Sequence, residues 1–125
     1  MKAKRNELPL AREALGDMIR ASDWGGMNAA LMSFPAGTDF CPLLEGLKND
    51  HCQCPHWGYL VEGRIRVTYE DGTTETVEAG EIYYWPPGHT ILIEETTLQA
   101  EFSPAREMDA VLDHVVGRMA ALQDA

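Results

Sequence analysis

A chain of 125 residues with 45% hydrophobic content has room for one core and not two. It carries no apolar run approaching the length of a membrane span, so it reads as a soluble globular domain. Twenty acidic residues against ten basic leave a net charge of −10, a field that repels phosphate backbones and anionic membranes and excludes nucleic acid and membrane as expected partners.

The first residues, Met1-Lys2-Ala3-Lys4-Arg5-Asn6-Glu7, are charged and no apolar run follows them. That predicts no secretory leader, and three cysteines in such a chain suggest a reducing, cytoplasmic setting. Residues 8–20 contain Leu8, Leu10, Ala11, Ala14, Leu15, Met18 and Ile19, which suits a short helix or a packed arm, so residues 1–24 are read as an N-terminal arm. From Gly25 the punctuation becomes that of an all-β protein. Met27 to Phe34 is a strand closed by Pro35-Ala36-Gly37-Thr38, and Phe40 to Leu44 is a short second one. His51 to Glu62 contains a third, broken near Pro55. Arg64 to Glu70 alternates strictly, Asp71-Gly72 is a hairpin signal, and Thr73 to Val77 returns as its partner. Glu81 to Trp85, Thr90 to Ile93 and Leu98 to Phe102 complete an antiparallel sandwich or barrel over residues 25–103. The period then changes. Met108, Val111, Leu112, Val115, Val116, Met119 and Leu122 predict a C-terminal helix over 104–122, with Ser103 as N-cap and Pro104 in the first position. Its apolar stripe is expected to pack on the outside of the barrel or on a partner subunit.

The chemistry concentrates in two clusters. Asp50-His51-Cys52-Gln53-Cys54-Pro55-His56 packs two histidines and two cysteines into six residues, ahead of an apolar run. One residue between Cys52 and Cys54 makes a disulfide strained, which leaves metal ligation or burial. Cys41, beside Pro42, reads as a small buried hydrophobe. Alternation places Cys52, Cys54 and His56 on one face of a strand, neighbours about 6.5–7 Å apart. Only adjacent members of a straight row share an ion whose bonds reach about 2.3 Å, which leaves Cys52 with Cys54 or Cys54 with His56. The second cluster, Gly80 to His89, offers His89 as third ligand, and Cys52 by strand parity, or water, as the fourth. Thiolate ligation favours zinc first, then iron or nickel. Trp57, Tyr59 and Tyr84 crowd the same region and are candidates to line a small-molecule pocket or to fill the barrel and a subunit interface. No nucleophile elbow, phosphate-cradling loop or dinucleotide fingerprint occurs, so no catalytic residue is assigned.

On Tyr59-Leu60-Val61-Glu62-Gly63 and on the spacing of Gly80, Pro86 and Gly88, residues 26–103 resemble the small single-domain proteins of the cupin superfamily. The resemblance implies a jelly-roll β-barrel of antiparallel strands with a metal inside its mouth, and commonly a homodimer. Motif counting places His56 where most cupins have glutamate, which implies Cys54 and His56 as the best pair, and His51 at the second-histidine position, which makes His51 a further candidate for the fourth ligand. Asn49 stands at the first-histidine position, and Ile91 where the second motif has its histidine, with His89 two residues earlier. An even shift along a strand keeps the face, so His89 is still expected to look inward.

Three functions stay open: a metal-dependent enzyme acting on a small polar organic molecule, a non-catalytic binding or sensing protein, and a structural-zinc protein whose work is association. Fold does not decide among them.

Overall fold

A computed structural model describes residues 1–124. Six antiparallel strands form one sheet: β1 (Ile19–Trp24), β2 (Met27–Met32), β3 (His56–Tyr69), β4 (Thr74–Glu78), β5 (Ile82–Trp85) and β6 (His89–Pro104). The order is β1-β2-β6-β3-β4, with β5 also on β3. A one-turn helix, α1 (Cys41–Leu44), lies between β2 and β3, and α2 (Ala105–Gln123) follows β6. No helix among the described residues is long and apolar enough to cross a membrane.

Two long strands carry the fold. β3 and β6 pair from Trp57 with Phe102 to Tyr69 with His89, and the register shifts three times between Leu60 and Ile65. Gly63 sits inside that irregular stretch at φ +98°, the left-handed backbone that only glycine adopts freely. Twelve residues of flat ladder would hold its two ends about 40 Å apart. Yet His56 and His89, at opposite ends, bring their rings to 5.1 Å. The β3–β6 ribbon is folded back on itself, and β2 and β5 flank one arm of it while β4 flanks the other.

The sheet does not close into a barrel by hydrogen bonds, a departure from the closed jelly roll expected above. The gap is covered instead by helices and by the N-terminal arm. Met108, Leu112 and Val115 of α2 join one core with Leu15, Ile19, Met32, Phe34 and Leu44. The expectation of an outside position for α2 is corrected: an open sheet leaves a concave apolar face, and the apolar stripe of the helix is what buries it. Arg12 fixes the arm to this lid through Asp109 at 3.1 Å and Asp113 at 2.9 Å.

Three further boundaries differ from the sequence reading. The sheet begins at Ile19, because Ile19 and Ala21 alternate inward and Gly25-Gly26 supplies a hairpin of positive φ. Phe40 to Leu44 is not a strand: the Phe40 carbonyl accepts from the amides of Leu43 and Leu44, and Pro42 suits a first helical turn. Residues 90–93 and 98–102 belong to one continuous strand. The arm itself forms short 3-10 turns at Arg5–Glu7 and Glu13–Met18, with Leu10 bridged to Arg20 of β1.

A Cβ on Gly63 would lie 2.5 Å from the Thr96 carbonyl oxygen and 2.8 Å from that of Glu95. Gly63→Ala is therefore expected to cost about 3 kcal/mol or more, read as a lower urea midpoint, because positive-φ strain and a backbone clash add. Gly72→Ala, at positive φ but with nothing within 4 Å of its Cβ, should cost distinctly less.

Candidate metal centre

The segment before β3 is strapped to the start of β6. The Cys52 amide donates to the His89 carbonyl at 2.8 Å, and the Gly88 amide donates to the Cys52 carbonyl at 2.7 Å. The chain bends at Cys54-Pro55 and enters β3 at His56. Across that bend Cys52 Sγ lies 3.5 Å from His56 Nε2. His89 arrives from the other end of the ribbon, delivered by the Pro86-Pro87-Gly88 turn. One ligand atom from each of Cys52, His56 and His89 lies within 4.8 Å of the other two, and all three residues are buried.

Cys54, expected to pair with His56, is not one of this group. The straight row assumed for Cys52, Cys54 and His56 does not exist, because extended backbone begins only at His56. The bend turns the fully buried Cys54 thiol toward the Pro55 carbonyl at 3.4 Å. His51 is also outside it, half-exposed, with its Nδ1 bonded to the Asn49 carbonyl. Cys41 is exposed, not buried, with its sulfur 3.3 Å from the Thr90 hydroxyl.

Both imidazoles are held by their second nitrogen. His89 Nδ1–H donates to the Pro86 carbonyl at 2.8 Å, which leaves Nε2 with a free lone pair. His56 Nδ1 lies 2.6 Å from Ser103 Oγ and 3.6 Å from Glu101 Oε2, so its Nε2 is the atom presented to Cys52. Ser103, expected as a helix cap, serves His56 instead. Tyr83 donates its hydroxyl to Glu101 at 2.7 Å, and Gln99 donates to the Tyr83 oxygen at 3.3 Å. Gly58 makes room for that ring, since a Cβ there would lie 2.2 Å from it.

Burial sets the electrostatics. It lowers His56 to about 4, and His89 to about 4 with help from the neighbouring His56. The Cys52 thiol is pushed up to about 12 by burial, with Glu101 adding, and Glu101 is raised to about 7 by burial. His56 and Glu101 are thus not an ion pair at neutral pH despite their distance: the imidazole is neutral. These residues fit a divalent ion. A thiolate at Cys52 and a carboxylate at Glu101 together balance two positive charges, so the buried site would be neutral when loaded.

The triad forms the polar end of a cavity of about 300 Å³ between the folded ribbon, α1 and α2. Most of the wall is apolar, from Leu15, Ile19, Met32, Phe34, Ile91 and Leu112 among others. Trp85 Nε1 and Gln99 Oε1, on residues that border it, have no hydrogen-bond partner. Trp57, Tyr59 and Tyr84 do not border this cavity. They lie an odd number of residues from the inward His56 or Trp85 and are exposed on the opposite face, where Trp57 stacks on Tyr84 at 5.1 Å. Glu101, Gln99 and Ser103 carried no metal-type signal in the sequence. A trace of them existed: in Leu98 to Ser103 the polar residues alternate with the apolar ones, and the polar set is the buried one.

Residues 30–97, more than half of the chain, match the family described as Cupin domain, and the chain belongs to that family. No curated protein matches it. Among solved structures it resembles a cupin superfamily protein from Desulfitobacterium hafniense (11% identity, 83% of each chain, TM-score 0.53). A protein of unknown function from Rhizobium leguminosarum is similar at 23% identity, covering 82% of this chain and 97% of that one, with a TM-score of 0.52. Oxalate decarboxylase from Bacillus subtilis is similar at 20% identity over 69% of this chain and 24% of that one, TM-score 0.52. At these identities the likeness speaks to the fold alone.

The buried trio predicts a pH dependence for the metal-free protein. The two imidazoles, lowered to about 4, favour folding above their unfolded value, and that contribution is lost as pH falls. Glu101, raised to about 7, acts in the opposite sense. Between about pH 6 and 5 the unfolded chain holds two protons on these groups and the folded chain one. Stability in chelator should fall by about 1.4 kcal/mol per pH unit on acidification from this trio. His56→Gln should flatten that slope, measured by urea unfolding at each pH.

Proposed function

We propose that Cys52, His56 and His89 hold one divalent transition metal, with zinc first and iron or nickel as alternatives, and that the site acts on a small organic molecule in the adjoining cavity. The observation that carries this reading is the convergence of three buried donors whose imidazole nitrogens are already oriented by second hydrogen bonds. The donor set is soft, which favours zinc or iron over magnesium or calcium. Three protein ligands leave a coordination position for a ligand, as in catalytic sites rather than closed structural ones. When bound, such an ion supplies Lewis acidity.

This chain's own residues would do the rest. Glu101, held by Tyr83, sits where it can keep or release a proton beside His56 Nδ1. The apolar lid excludes water from the chamber. Binding without turnover remains the alternative, and catalysis is distinguished from it only by a product. Cys54 and His51 stay secondary candidates that a relaxed site would have to recruit.

The metal reading predicts about one equivalent of metal in the wild-type protein, loss of most of it in Cys52→Ala and His89→Ala, and retention in Cys54→Ala. Elemental analysis after purification without an affinity-metal step reads this directly. Cobalt substitution adds a check, since a thiolate-to-cobalt absorption band should vanish in Cys52→Ala and persist in Cys54→Ala. Metal retained in both Cys52→Ala and His89→Ala would refute the site.

A homodimer is the proposed assembly. The surfaces first expected to be covered, the arm and α2, are packed on their own chain. What stays uncovered is the outer sheet face: Trp57 beside Tyr84 and Phe102, and Tyr59 beside Ile82, all exposed. Two copies of such an uncharged face can stack about a twofold axis. Light scattering should give twice the chain mass for wild type and a single-chain mass for Ile82→Lys combined with Trp57→Glu.

A further inference from the structure

Four of the six methionines, Met18, Met32, Met108 and Met119, border the cavity together with Phe34 and Phe40. Thioethers are polarizable and flexible, and they pack favourably against aromatic rings. Among the described residues no lysine or arginine borders the chamber, and its only acid is Glu101, already engaged by Tyr83 and facing His56. An anion entering the metal-free chamber would shed its hydration and meet no cationic side chain. The orphaned donor Trp85 Nε1 belongs to a cavity-wall ring whose centroid is 5.5 Å from that of His89 and 6.1 Å from that of His56, so the ring that carries it stands at the triad end. A volume of about 300 Å³ equals that of about ten liquid waters, the scale of one substituted ring.

We propose that the cavity takes an uncharged phenol-class molecule, its ring among the methionines and its hydroxyl at the Cys52–His56–His89 end. A hydroxyl both accepts, as Trp85 Nε1 requires, and donates. This narrows the small polar molecule first expected from the sequence to one that is polar only at one end. It rests on the reading of the chamber as the ligand site.

The test uses the full chain, zinc-loaded and chelator-stripped, with 4-fluorophenol, 4-fluorobenzoate, 1-heptanol and oxalate as probes, read by fluorine NMR or calorimetry. For the chelator-stripped chain, 4-fluorophenol should bind at least about tenfold tighter than each of the two anions, and in both forms it should bind tighter than 1-heptanol. Val111→Trp, at a half-exposed cavity-wall position, should weaken 4-fluorophenol at least about tenfold at unchanged zinc content, because the indole fills the space. If that variant does not fold, Leu43→Trp on the facing helix reads the same loss. Anions binding the stripped chain as tightly as the phenol does, 1-heptanol binding more tightly, or a folded Val111→Trp with unaltered affinity would each overturn the inference. Zinc retained with no binding of 4-fluorophenol defeats this inference alone, whereas phenol binding in a chain that takes up no zinc defeats the metal reading alone.

Discussion

The doubling-back of the β3–β6 ribbon is the constraint on which everything else in this protein rests. A ladder twelve residues long has its ends far apart unless its backbone is broken, and here the break is a run of register shifts around Gly63. Because antiparallel pairing puts the start of one strand beside the end of the other, folding the ribbon in half brings the two strand starts together. His56 opens β3 and His89 opens β6. Residues separated by 33 positions in sequence therefore meet without either lying on a flexible loop. Cys52 joins them because its backbone bonds to His89. A site built on strand ends is held more firmly than one built on loops alone.

The same geometry explains the chamber's unusual wall. In β6 the inward face carries Gln99, Glu101 and Ser103, while Phe102 is exposed. Buried polar side chains are costly unless they are paired. Here most of them are paired, in two groups: Gln99 to Tyr83 and Tyr83 to Glu101, and Ser103 to His56. Glu101 stands 3.6 Å from the His56 ring, so both groups meet at the imidazole and fix its surroundings. Exposure of Phe102 with Trp57 and Tyr84 is the counterpart of that inversion. A strand whose polar side turns inward must turn its apolar side outward, and the outer face becomes a surface suited to another subunit.

Much of the fold was legible because its signals are local. Asp71-Gly72 marks a hairpin whatever surrounds it, and Gly72 indeed sits at φ +86°. The change of period after Ser103 marks α2. Long-range facts were not legible in the same way. Nothing near Gly63 says that the strand continues through it, bent rather than ended. Nothing in α2 says whether its stripe covers the sheet's own hollow or lies outside it; that depends on whether the sheet closes. The ligand cluster was found by composition and motif counting, which singled out His56 and His89. Which cysteine lies nearest them was not legible for one reason: parity holds only within extended backbone, and the bend at Cys54-Pro55 lies just before β3. Glu101 and Ser103 needed the pairing of β6 with β3, which only the register reveals.

The lid carries a consequence for how the chamber survives. A sealed dry void of about 300 Å³, costed at about 24 cal/mol per Å³, would take on the order of 7 kcal/mol, an upper bound for this chamber because it is partly open to the surface. Water relieves little of this, since the walls offer it few partners. The links that hold α2 in place are surface contacts: Arg12 with Asp109 and Asp113, His114 with the Glu45 carbonyl at 2.7 Å, and Arg118 with the Pro42 carbonyl at 3.1 Å. Individually such contacts contribute little. The larger hold on α2 is the burial of Met108, Leu112 and Val115 in the common core. An apolar occupant of the chamber would pack against that same stripe and gain part of the free energy that the empty fold gives up.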